Sequence, residues 1–156
     1  MGTAITEART ALALNPNSAF VISMLGCVLG FGGYRDEALD RLQQAMRVSP
    51  HDPLTWLWLG WVGATQFSAR DFDAAAATWR EVVRLRPSYM MAHGMMAAAL
   101  ARGGRTDEAR EVLDRARTLF PDQIPRLLQQ ERYPWLRPED YMQRVEGLRM
   151  AMGETA

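Results

Sequence analysis

The side chains able to do chemistry are few, and their spacing works against a catalytic site. The chain has one cysteine and two histidines. Cys27 lies among Gly26, Val28 and Leu29, without the adjacent base that a thiol nucleophile needs. His51 stands beside Asp52 between two prolines, a setting that suits a solvated turn residue. His93 falls in an apolar stretch, Met90 to Leu100, where helix packing accounts for it. None of these residues has C-x-x-C or H-x-x-x-H spacing, so no metal site is expected. Gly30, Gly32 and Gly33 invite comparison with a phosphate-binding loop. Such a loop follows a strand and carries a lysine that reaches the phosphates. Here all 18 basic residues are arginine, which also excludes Schiff-base chemistry. The expectation is a chain that is not an enzyme and holds no cofactor.

The bulk properties narrow the class further. A chain of 156 residues with 48% apolar and 23% charged side chains is expected to form one globular domain, 1–156. Its 18 acidic residues cancel its basic ones, so the basic footprint of a nucleic-acid binder is missing. No stretch reaches the ~18 apolar residues that a membrane span needs. The nearest, Ala19 to Tyr34, is interrupted by four glycines. No membrane partner is expected, and a single cysteine fits a reducing, cytoplasmic setting.

The elements that must position any site are marked by four prolines, Pro16, Pro50, Pro87 and Pro121, spaced by 34, 37 and 34 residues. Internal repeats with such periods mark arrays of helical hairpins. Five residues before each proline stand Ala11, Ala45, Val82 and Ala116, and seven earlier stand Ala4, Ala38, Ala75 and Ala109. Leu25-Gly26, Leu59-Gly60 and Met96-Ala97 form a further column. Small residues recurring in register place two helix axes close together, because a larger side chain there would force them apart. Gly32-Gly33 and Gly103-Gly104 suit the turn between the helices. Asp36-Glu37, Asp71, Asp73 and Asp107-Glu108 suit the first turn of a second helix, where the dipole favours anions. Helices are expected over 3–14, 19–31, 35–48, 53–67, 71–85, 89–102 and 105–118. The second unit has three extra residues between Gly63 and Arg70, which either lengthen its first helix or enlarge the turn after it.

These columns resemble the tetratricopeptide repeat, from about Ala4 to Pro121. The second unit carries the pattern most fully, with Trp56, Leu59-Gly60, Ala75, Trp79 and Pro87, while the third has His93 and Ala97 where an aromatic and a glycine are usual. The resemblance implies an all-α, right-handed solenoid of antiparallel helix pairs. Residues 3–16 would be the second helix of a truncated repeat, 19–50, 53–87 and 90–121 three repeats, and 122–156 a C-terminal cap. Within the cap, 124–132 reads as a short helix followed by a Tyr133-Pro134-Trp135 corner. Pro138-Glu139-Asp140 reads as a helix start, and Tyr141, Val145, Leu148 and Met152 as its apolar stripe. The run Glu146 to Ala151 also resembles the tail that follows such repeats in bacterial adenylate cyclases and winged-helix regulators.

The resemblance implies that one face of each first helix turns inward to a groove. Projection assigns Phe20, Ser23, Met24, Cys27 and Phe31 to that face in the first repeat. Leu54, Leu57, Trp58 and Trp61 follow in the second, and Met91, Met95 and Arg102 in the third. Family members that clamp a terminal carboxylate place lysine and asparagine there. Here only Arg102 is cationic, so the partner expected is an apolar or amphipathic helix or peptide. On this reading, replacing Trp58 and Trp61 with alanine would abolish binding and leave helicity intact. The chain is then a non-catalytic interaction scaffold, expected to be the C-terminal part of a larger bacterial signalling protein, cyclase-like or a transcription regulator. Self-association as a homodimer is the alternative, through the unpaired first helix (Ala4, Ala8, Ala11, Leu12) or the groove. Alternatively again, the 139–152 helix folds back and fills the groove itself.

Overall fold

A computed structural model describes residues 2–121 and 137–154. All regular structure among them is helical: α1 (Gly2–Leu14), α2 (Ala19–Gly32), α3 (Arg35–Val48), α4 (Thr55–Ser68), α5 (Phe72–Leu85), α6 (Met90–Arg102), α7 (Thr106–Leu119) and α8 (Pro138–Met152). The short helix and aromatic corner expected within 124–135 lie outside the described residues.

The small-residue columns are the seams of the hairpins α2–α3, α4–α5 and α6–α7. Ala38, Ala45, Ala75, Val82, Ala109 and Ala116 are all 0% exposed. A Cβ on Gly26 would stand 2.7 Å from Leu42 Cγ and 3.1 Å from the Ala38 carbonyl oxygen, so this position admits no side chain without a shift. At Gly60 the nearest atoms, on Trp79, are 3.5 Å from the same construction, an ordinary contact. The third unit carries alanine, Ala97, in this column, fully buried. In the second unit the tight approach moves one turn on, where the Trp79 indole lies 2.8 Å from the Cβ position of Gly63.

First and second helices have different environments. The first helix of the third unit, α6, is buried continuously from Ala92 to Ala101, as its apolar surface on all sides requires. Second helices keep a charged outer face, where ion pairs such as Arg105–Glu108 and Arg117–Asp114 form between residues three apart. The turn inside each hairpin is closed in the same way. Tyr34, Asp71 and Arg105 donate their backbone N–H to Leu29, Gln66 and Leu100 at 2.9, 3.0 and 2.8 Å, which requires a left-handed residue just before them. Glycine supplies it twice, Gly33 at φ 86° and Gly104 at φ 82°, and Arg70 supplies it once at φ 66°.

The three extra residues of the second unit carry the end of its first helix further past the close approach and enlarge the turn by one relative to the first unit, although α4 and α2 both have 14 residues. α4 ends eight residues beyond Gly60, whereas α2 ends six beyond Gly26 and α6 five beyond Ala97. α1 lays Ile5, Ala8 and Leu12 against Leu25, Leu29 and Ala38. At the other end α8 packs on α6 and, less extensively, on α7. Leu148 and Ala151 of α8 join the main core. The α8–α6 crossing is close because Gly147 has no side chain: a Cβ there would meet the Ala98 carbonyl oxygen at 2.7 Å.

This crossing gives a stability test. Valine is a slightly better helix former than glycine, so any loss in Gly147→Val reports the contact with Ala98. The expected cost is about 2 kcal/mol, a fall in Tm of roughly 4–8 °C. Thermal unfolding by circular dichroism measures it, and an unshifted curve would mean that α8 does not rest on α6 as described.

Candidate functional site

Three first helices (α2, α4 and α6), the second helix α5 and the cap helix α8 line an open cavity of about 350 Å³. On α4 the lining residues are Leu57, Gly60, Trp61, Ala64, Thr65, Phe67 and Ser68, spacings that keep them on one side of the helix. α2 contributes Cys27, Gly30 and Phe31, and α6 contributes Met91 and Met95. Trp79 of α5 reaches the cavity from behind α4, across the gap left by Gly60 and Gly63. Helices α2 and α4 approach closely at one point, where a Cβ on Gly30 would lie 2.5 Å from Thr65 Oγ1. That hydroxyl donates to the Trp61 carbonyl at 2.8 Å, so it adds little polarity to the wall.

The polar end of the cavity is built by the first turns of α8, through Asp140 and Arg144. Asp140 is buried. Its carboxylate accepts from Ser68 Oγ at 2.8 Å, from Arg137 Nε at 2.8 Å and from an Arg70 guanidinium nitrogen at 3.3 Å. Arg137 also donates to Ser68 Oγ at 2.7 Å, which closes the cluster. Ser68 and Arg70 come from the further-reaching C-terminal end of α4 and its enlarged turn. The left-handed backbone of Arg70 costs about 1–2 kcal/mol relative to glycine, and its bond to Asp140 holds it there. Arg144 stacks over Tyr141 at 5.5 Å and its guanidinium lies 4.0 Å from the Met91 sulfur.

Of the residues projected onto the groove, the structure brings six to this cavity: Cys27, Phe31, Leu57, Trp61, Met91 and Met95. Phe20 and Met24 continue the α2 stripe toward its N-terminus, Phe20 being 53% exposed and Met24 half-buried. Leu54 precedes α4 and packs against the core formed by Ile22, Leu42 and Trp58. Arg102 belongs to the contact with α8, paired to Glu146 at 2.8 Å and stacked over Phe72 at 5.6 Å. Ser23 does not face the groove, being 0% exposed with its hydroxyl donating to the Phe20 carbonyl at 2.7 Å. Trp58 requires the same correction. It is 0% exposed, because it lies one residue off the Leu57–Trp61 stripe, about 100° round the helix, and points between α2 and α3. The paired substitution of Trp58 and Trp61 therefore conflates the core with the groove.

Neither histidine faces the cavity. His93 is buried, with its Nε2 at 2.9 Å from the Pro87 carbonyl oxygen and its ring edge-on to Phe120 at 5.5 Å, a packing role as expected from its column. His51 is exposed in the turn before α4. Burial pushes the Cys27 thiol up to about 12, so it stays protonated at neutral pH and is a poor nucleophile. Glu81 and Glu108 have lowered pKa values through side-chain hydrogen bonds to Arg84 and Arg105, but both lie on second helices away from the cavity. Among the described residues no group of three or more His, Cys, Asp or Glu could hold a metal ion, and no helix is long and apolar enough to cross a membrane.

The two tryptophans separate cleanly in a stability measurement. Trp58→Ala is expected to cost about 3–5 kcal/mol, while Trp61→Ala, half-buried on the cavity wall, is expected to cost less than about 1.5 kcal/mol. Urea titration of both variants measures this. Equal losses would place Trp61 in the core as well.

No curated protein matches the sequence. Among solved structures the chain is similar to a crystal structure of MamA protein, with 19% identity and a TM-score of 0.67, covering 85% of this chain and 68% of that one. A second structure of MamA gives 16% identity and a TM-score of 0.67 over 96% of this chain and 85% of that one. The MamA RS-1 ArsTM double mutant gives 14% and 0.67 over 96% and 82%. Residues 63–124, from the close approach at Gly63 through the third hairpin, match the tetratricopeptide repeat family, and the described residues share the helical solenoid fold of the MamA structures.

Proposed function

We propose that the chain is a non-catalytic scaffold that binds a partner helix or apolar peptide along the shared face of α2, α4 and α6. The observation that carries this reading is the cavity itself, an open apolar recess lined by aromatic, methionine and small side chains. An exposed apolar recess of this kind is maintained against collapse only by rigid surrounding packing, and such recesses mark binding sites. The tetratricopeptide match and the MamA fold support an interaction role. The place of the chain within a bacterial cyclase or transcription regulator rests on the Glu146–Ala151 resemblance alone. In this structure the same run also packs α8 onto α6, through Glu146, Gly147, Leu148 and Ala151.

Selection of a displayed random-peptide library against the intact chain tests the groove. Selected peptides are expected to lose at least 30-fold in affinity against Trp61→Ala, the effect of removing an interface hot spot of about 2 kcal/mol. Unchanged affinity in a folded Trp61→Ala variant removes the groove from consideration.

One observation favours self-association as a second reading. The alanine column that is fully buried in every complete hairpin is uncovered in α1, where Ala4 is exposed and Ala11 only half-buried, and Leu14 beside it is 76% exposed. A second copy covering this face gives an isologous dimer. Light scattering at high micromolar concentration is expected to show that dimer, and a monomeric mass there counts against it.

A further inference from the structure

The walls of the cavity select for a particular side chain. Phe31, Trp61 and Trp79 present aromatic surface to it, and Cys27, Met91 and Met95 present sulfur. An aliphatic guest in such a space gains only burial. An aromatic guest adds ring–ring and sulfur–ring contacts, both of which depend on the quadrupole of the guest. The space is adequate, since a cavity of about 150 Å³ already holds a benzene ring and this one measures about 350 Å³.

The direction from which the guest comes is also constrained. α8 is itself a helix docked on the α6 face that continues from Met91 and Met95 through Ala98 to Arg102. Gly147 rests on Ala98, and Glu146 pairs with Arg102 at 2.8 Å. The cavity begins where α8 ends, with Asp140 and Arg144 as the dividing wall. The open part of the groove is thus continuous with an established helix-docking interface, and runs from α8 toward the N-terminal half of α2.

We propose that this cavity is the anchor site for one aromatic side chain of an amphipathic partner helix, which lies on α2 and α4 and abuts the first turns of α8. The inference rests on the groove reading above and adds to it the identity of the anchor. Methionine flexibility lets Met91 and Met95 close on the ring, and the small residues Gly60 and Ala64 give it depth.

Toluene and methylcyclohexane make a direct test, because they share a carbon skeleton and differ in aromaticity. Burial alone favours methylcyclohexane, the more apolar of the two. With the intact chain labelled at its methionine methyl carbons, toluene is expected to shift the Met91 and Met95 resonances and leave Met142, 59% exposed on α8, unmoved. It is expected to bind about fivefold or more tightly than methylcyclohexane. Ala64→Trp, which fills the cavity, is expected to abolish the shifts. Peptides selected against the chain are expected to share one aromatic position. Equal or tighter binding of methylcyclohexane, or unmoved Met91 and Met95, overturns the aromatic anchor, and peptides selected with aliphatic anchors only overturn it while leaving the groove in place. Toluene binding at Met91 and Met95 with no peptide selected overturns the helical partner and the groove reading together. The comparison of the two hydrocarbons needs no variant, so it holds even if Ala64→Trp fails to fold.

Discussion

The structure depends on how closely helix backbones approach one another at a few positions without side chains. Gly26 lies under Leu42 and the Ala38 carbonyl, Gly63 under the Trp79 indole, Gly30 against Thr65 and Gly147 against Ala98. Two of these contacts fall within hairpins, one between successive hairpins and one at the C-terminal cap. Close approach brings the alanine columns into full burial, and it lets large neighbours such as Leu25, Leu29 and Leu42 fill the space on either side. The cavity follows from the same constraint. Gly30, Gly60 and Ala64 remove side chains from facing stripes of α2 and α4, and what remains open between them is bounded by residues too large to follow.

The irregular second unit shows how a departure from the repeat acquires a use. A strict copy of the first unit would end α4 earlier, leaving no counterpart of Ser68 and Arg70 near α8. The shifted end of α4 and the enlarged turn carry both residues to Asp140, where one buried carboxylate receives a hydroxyl and two guanidinium groups. Such a cluster is stable because every member is satisfied, and loss of one partner would leave a buried charge uncompensated. It also explains why arginine stands where the other two hairpins have glycine. The hydrogen-bonded turn needs a left-handed residue, and the tether to Asp140 offsets the cost of having a side chain there.

Much of this was legible in the sequence because repetition averages out local ambiguity. Pro16, Pro50, Pro87 and Pro121 fix the register, and the seven expected helices match the observed ends to within about two residues. His93 was readable as a packing residue from its column alone. The site was harder to read. A first helix is apolar on most of its surface, so hydrophobic periodicity does not say which stripe faces a neighbour and which faces the groove. Trp58 and Leu57 are adjacent in sequence and equally apolar, yet one closes the core around Ile22 and Leu42 and the other lines the cavity. The direction of α4 relative to α2 decides between them, and that direction is set by Gly30 against Thr65, a contact between residues 35 apart. Trp79, Asp140 and Arg144 were missed for the same reason: each reaches the cavity from an element outside the repeat's inward face. For Asp140 and Arg144 the signals were the three-residue insertion before Arg70 and the amphipathic 139–152 stretch that could fold back on the groove.

Whether α8 fills the groove or walls it is decided by magnitude. Val145, Leu148 and Ala151 are buried in the contact with the third hairpin, and full burial of a valine and a leucine side chain contributes about 3–6 kcal/mol. The Asp140 cluster and the Arg102–Glu146 pair add to this. A partner peptide would have to replace all of these contacts before gaining any affinity of its own, whereas none of the described residues would have to leave the recess beside α2 and α4. The C-terminal part of α6, from Ala98 to Arg102, is therefore spent on holding the cap. Under the proposed function an occupant is left α2, α4 and the Met91–Met95 end of α6, with α8 as the fixed end against which it stops.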